Sequence, residues 1–146
     1  MTSLKNTLTL LSNLKKKLQP AMFKAGNKLI SNITTNWKRG KGADGVMFTP
    51  LTPGYRKRKI SGYKSKSGKT QIPATGRGRA DMHLTGHMQQ AFDAFPIGKY
   101  RVKVGFNGID QIRKATGNAK ARPNMLKVTK NHANYISNLV LKEIFP

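Results

Sequence analysis

Acidic residues have nearly vanished from this chain, and that scarcity constrains it more than any other feature. Asp44, Asp81, Asp93, Asp110 and Glu143 stand against 28 Lys and Arg, a formal net charge of +23. A surface so one-sided repels itself, which opposes compaction and attracts polyanions. A single solvated basic run would explain a local excess, but this imbalance runs the whole length of the chain. The composition therefore implies a nucleic acid or an acidic protein as partner.

The same scarcity limits the chemistry. General acid–base pairs, hard-metal sites and two-metal nucleases all draw on carboxylates, and these five are scattered. Cysteine is absent, which removes disulfides, thiol nucleophiles and thiolate zinc sites. A catalytic role is not expected, and neither is a cofactor. No stretch approaches the roughly 18 apolar residues that span a bilayer. The start, MTSLKNTLTLLSNLKKK, is too polar for a signal-peptide core. It has the pattern of a basic amphipathic membrane helix, but such helices more often pack on their own domain, so no membrane partner is expected.

At 146 residues the chain fits one domain, 1–146, in three stretches. Residues 1–37 form a helical segment. Leu4, Leu8, Leu11, Leu14, Leu18, Met22, Ala25, Leu29 and Ile33 recur at steps of three or four, with Ser3 as N-cap and Trp37 near the end. Pro20 lacks a backbone donor, so a kink or two helices are expected there. Residues 38–80 form an extended basic loop, with 12 Lys and Arg, 8 Gly and one acid, Asp44. Residues 81–146 predict a short helix over 82–92, a strand near 91–96, and a strand in which Tyr100, Val102, Val104 and Phe106 alternate with polar residues. Residues 107–121 are polar and contain Gly. A helix is expected from Pro123 to Phe145, with Met125, Val128, His132, Ile136, Leu139, Val140 and Ile144 on one side. The expected class is α+β: a long N-terminal helical segment and a C-terminal helix packed on a small antiparallel sheet, with a long basic loop.

Few side-chain groupings suggest chemistry. His83 and His87 lie four apart, the spacing of paired metal ligands on a helix. They lack a neighbouring Glu and a third ligand, so they read as ordinary polar surface. Lys38, Arg39, Lys41, Lys64, Lys66, Lys69, Arg77 and Arg79 are candidate contacts to phosphates or to an acidic partner. The run Gly76-Arg77-Gly78-Arg79 combines backbone access with planar guanidinium forks. No Gly-rich nucleotide loop accompanies them. Phe48, Tyr55 and Tyr63 interleave this basic stretch; stacking on bases and anchoring the loop on the core are both open, with anchoring the better reading.

The order of motifs resembles the tailed-phage virion-morphogenesis, or tail-completion, proteins. Phe48-Thr49-Pro50-Leu51-Thr52-Pro53-Gly54-Tyr55 and the following Arg56-Lys57-Arg58-Lys59 resemble that family's W-x-P-L-S-x-x-Y-x-x-x-K stretch. Leu84-Thr85-Gly86-His87-Met88 resembles its L-x-x-T-G-x-L helix start. Val102-Lys103-Val104-Gly105 is similar to its strand ending in V-G. Ala121-Arg122-Pro123-Asn124-Met125-Leu126 resembles the P-A-R-P-F-L approach to the final helix. The resemblance covers about residues 30 to 146. Phe48 stands in place of the family's Trp, and the 60–80 stretch is longer and more basic.

The resemblance implies a non-enzymatic structural protein of the phage neck. It would form a homo-oligomeric ring joining the portal or head-completion layer to a tail terminator or tail tube around the DNA channel. It would be assembled in the host cytoplasm and found in the virion. Phe48, Leu51, Tyr55, Arg56, Lys57, Arg58, Lys59 and Arg122 are then protein-interface candidates, and the basic loop touches packaged DNA non-specifically or acidic neighbours. A basic nucleic-acid-binding module explains the charge as well but not the motif order.

Overall fold

The computed structural model describes residues 4–69, 71–72, 74–75, 78, 80, 87–98 and 100–145. The fold is α+β. Its elements run α1 (Leu4–Lys38), α2 (Pro53–Ser61), β1 (Tyr63–Lys64), β2 (Gln71–Ile72), α3 (His87–Gln90), β3 (Phe92–Pro96), β4 (Val102–Phe106), α4 (Ile109–Ala121) and α5 (Lys130–Ile144). β1 pairs with β2 and β3 with β4, giving two small antiparallel sheets. The chain groups into two compact units: Met1–Ser31 with Phe92–Gly105 and Val128–Pro146, and Asn32–Ala91 with Phe106–Lys127.

In the first unit the β3–β4 hairpin packs with α1 and α5. Ala21, Ala25, Leu29, Phe92, Ala94 and Ile144 are buried there. A side chain at Gly26 would lie 3.2 Å from Val102 Cγ1 and 3.4 Å from Ala94 Cβ, so the small residue lets helix and hairpin approach closely. Gln19 Nε2 donates to the Gly98 carbonyl at the hairpin turn, 3.0 Å away. Lys24 pairs with Glu143 of α5 on the surface, where such a pair adds little. An open apolar groove of about 640 Å³ runs between Leu18, Met22, Val102, Ile136 and Val140.

Expectations about several elements need correction. Of the two alternatives at Pro20, a kink or two helices, the second is overturned: α1 continues through it as one helix, and Ala21, Ala25 and Leu29 beyond the proline are buried, so that their packing offsets one missing backbone bond. The basic stretch is not all loop. Thr52-Pro53 starts α2, because proline at the first helical position is already at helical φ, and Gly62 at φ 76 ends it. The expected helix over 82–92 is, among the described residues, only α3, and Phe92 already belongs to the hairpin. Residues 109–121 form α4, with Asp110 in its first turn and Lys120 in its last, both complementing the helix dipole.

The last helix starts at Lys130, later than Pro123. Thr129 caps it, accepting from the His132 backbone while the His132 ring accepts from the Thr129 N–H, so two otherwise orphaned donors are met. Residues 123–126 form a turn instead, closed by the Met125 N–H on the Arg122 carbonyl. The expected strands near 91–96 and through Tyr100–Phe106 are both present, the second starting only at Val102.

Candidate functional site: a basic surface on the second unit

Trp37, near the end of α1, organises the second unit. It is fully buried; its indole Nε1 donates to the Met125 carbonyl at 2.9 Å, and its ring stacks on Phe106 with centroids 6.1 Å apart. The chain then doubles back through residues 40–48, with Lys41 opposite Met47 in an antiparallel bridge. The Gly42 N–H donates to the Val46 carbonyl, and Asp44 Oδ1 accepts from the Val46 N–H. The Ala43 N–H donates to the Asn124 carbonyl and Asn124 Nδ2 donates to the Val46 carbonyl. Through these bonds the 40–48 turn is stitched to the 122–126 turn.

Phe48 and Arg122 meet at that seam. The Arg122 guanidinium carbon lies 5.6 Å from the Phe48 ring centroid, and Nη1 donates to Asn118 Oδ1 at 2.9 Å. A cation over an aromatic face is worth about 0.5–2 kcal/mol depending on desolvation. Phe48 is 4% exposed, so it anchors the turn on the core; base stacking is not open to it.

Beyond Phe48, Leu51 and α2 build a shallow cleft. Leu51, Pro53, Arg56, Lys57 and Ile60 line a depression of about 360 Å³. On the other side of Arg56, a smaller pocket of about 210 Å³ takes in Arg39, Phe48, Leu51 and Gly78. Gly78 lies close against α2: a Cβ there would come within 2.8 Å of Arg56 Nε and 2.9 Å of Ile60 Cδ1, so these two side chains would have to shift. Tyr55, Arg56, Lys57 and Arg58 are exposed on α2. Two of the interface candidates, Phe48 and Lys59, are instead buried. Lys59 is the charged one. It is 2% exposed, because its turn of the helix faces the returning chain, where Thr75 donates twice to the Lys59 carbonyl.

The hairpin follows directly. Tyr63 pairs with Ile72 and Lys64 with Gln71. The Arg58 guanidinium sits 5.9 Å from the Tyr63 ring centroid, tying the end of α2 to the base of the hairpin. The tip turns at Ser65–Gly68, where the Gly68 N–H donates to the Ser65 carbonyl and Gly68 takes φ 68. Lys64, Lys66 and Lys69 are exposed around that tip. Lys38 and Arg39 are exposed and Lys41 half-buried at the end of α1.

Arg77, Arg79, His83 and the Leu84-Thr85-Gly86 motif lie outside the described residues. Among the described residues no three His, Cys, Asp or Glu come together as metal ligands, and no helix is long and apolar enough to cross a membrane. Described carboxylates serve local structure: Asp44 also faces Lys127 at 3.7 Å, Asp93 accepts from the Ala94 N–H, and Glu143 meets Lys24. The sequence singles out Asn124 and Gly78 only as members of motifs, not for the contacts they make here, and it gives no signal for Ile60. Nothing local in the sequence indicates that the 40–48 turn is bonded to the 122–126 turn. Neither a family model, nor a curated protein, nor a solved structure matches the chain.

Proposed function

We propose that this chain is a non-catalytic structural protein of the tailed-phage neck. In this reading it forms a ring that joins the portal or head-completion layer to the tail around the DNA channel. The observation that carries the reading is the meeting of Phe48 and Arg122. These residues sit in the first and last of the four motif stretches that resemble the tail-completion family. Folding brings the two stretches into one seam, stitched by Ala43, Val46 and Asn124, as expected if the motifs together maintain one structural feature.

The charge fits the same reading. Copies of a +23 subunit repel one another in a closed ring unless acidic neighbours or DNA neutralise them. Ring assembly is then coupled to the presence of those partners. The exposed Tyr55 and Arg56, with Leu51 and Ile60 beside them, have the mixed aromatic, aliphatic and arginine composition of a protein-binding patch.

Deleting the coding sequence from a phage genome that carries it tests the proposal. Filled heads and finished tails should accumulate unjoined, and supplying the chain in trans should restore joined particles. Normal joined particles without the chain would refute it. The rival reading, a free nucleic-acid-binding module, draws its support from the lysine-rich hairpin tip. It requires the deletion to leave particle joining intact while DNA-related functions fail.

A further inference from the structure

The basic surface of the second unit divides into two parts of different chemistry, and the division points to different partners. Leu51, Arg56 and Ile60 line the α2 cleft with apolar area and a guanidinium, and the aromatic Tyr55 is exposed on the same helix. The hairpin tip has none of these: it reads Lys64-Ser65-Lys66-Ser67-Gly68-Lys69. Protein interfaces are depleted in lysine and serine at their centres and need an apolar anchor. Phosphate contacts come from lysines, serine hydroxyls and backbone amides, and need no anchor. We infer that the β1–β2 hairpin tip is a contact site for the phosphate backbone of duplex DNA, read without regard to sequence.

Three further observations support this. Lys64, Lys66 and Lys69 are all exposed. No acid occurs between Asp44 and Asp81, so the tip has no carboxylate in its own stretch of chain to neutralise it. Arg58 stacked near Tyr63, together with the Tyr63–Ile72 and Lys64–Gln71 pairs, holds the base of the hairpin, so the lysines are presented on an ordered turn. Ser65 Oγ and Ser67 Oγ lie 3.0 Å apart and Gly68 N bonds back to Ser65 O, which keeps the turn tight. Lysine suits such a contact, because a compact ammonium on a flexible stem follows a phosphate backbone without demanding one geometry.

The inference deepens the neck reading by naming a partner for one part of the surface, and its DNA-contact half is tested separately from particle assembly. The full chain is titrated with a random-sequence duplex across a range of salt concentrations. Lys64→Ser, Lys66→Ser and Lys69→Ser combined should make the log–log salt dependence shallower by about 2–3 units, since each phosphate contact contributes a slope of about 0.9. The charge-matched control, Lys15→Ser, Lys16→Ser and Lys17→Ser on α1, should change it by less than one contact's worth. Equal losses from both triples would overturn the inference, because the hairpin would then be only part of a diffuse cationic cloud. An unchanged slope with lost binding to an acidic neck protein would also overturn it and assign the tip to protein. In particles, the hairpin triple should still join heads to tails and lose DNA retention. A shallower slope in a chain absent from particles would keep the DNA contact and reject the neck reading.

Discussion

At Gly42 the backbone lies so close to Asn124 that a single methyl group would meet the carbonyl oxygen and side-chain amide of that residue. Gly42→Ala is expected to destabilise the second unit by about 1–3 kcal/mol, the usual cost of overpacking. Hydrogen exchange at the Ala43 amide, which donates to the Asn124 carbonyl, should report it first. Unchanged protection there would show that the two turns are not coupled as described. Trp37 offers a cleaner deletion. Trp37→Phe keeps a ring beside Phe106 but removes the Nε1 donor to the Met125 carbonyl. The Met125 carbonyl would keep only the longer bond from the Ala43 N–H, at 3.3 Å, so the change should cost about 0.5–1.5 kcal/mol in chemical denaturation. Arg122 differs from the surface cations in that its guanidinium holds both Phe48 and Asn118.

Elements with a continuous apolar stripe are legible in the sequence. α1 shows its helical period along most of its length, and β4 alternates around Lys103, so both follow from spacing alone. α4 is not legible because little of it is buried: Ala115 is, while Ile109 and Ile112 stay exposed and Gly117 interrupts the pattern. α2 hides among its own charges, with Tyr55 and Ile60 as its large nonpolar side chains and Thr52-Pro53 as the start signal. The seam between Phe48 and Arg122 joins residues far apart in sequence, and no local pattern encodes such a meeting. Pro20 tests the account of α1. It is exposed and interrupts the backbone ladder, so Pro20→Ala should stabilise the protein by about 1–3 kcal/mol and raise its melting temperature. A fall in melting temperature would mean that the proline shapes α1 in a way the packing needs. Within the basic stretch, limited trypsin digestion should cut at Lys66 or Lys69 on the hairpin tip before it cuts at buried Lys59. First cleavage inside α2 would contradict the order described for this segment.

Across the whole molecule, charge decides behaviour. With +23 to distribute and each described carboxylate other than Asp110 already paired or hydrogen-bonded, little negative charge is left to offset the cations. Self-association should therefore be weak at low ionic strength and strengthen as salt screens the repulsion, or when an acidic partner is added. Light scattering across a salt series measures this directly, and stable rings at low salt without a partner would contradict it. The dispersed acids also lead us to expect no Mg²⁺-, Mn²⁺- or Zn²⁺-dependent cleavage of DNA. Activity lost on Asp110→Asn or Asp44→Asn would overturn the non-catalytic reading. The most direct test of the central claim is to locate the chain in purified particles of a phage that encodes it, using gold-labelled antibodies and electron microscopy. The account predicts label confined to the junction of head and tail in joined particles. Label on free DNA or on the capsid shell, or no chain in the particles at all, would contradict it.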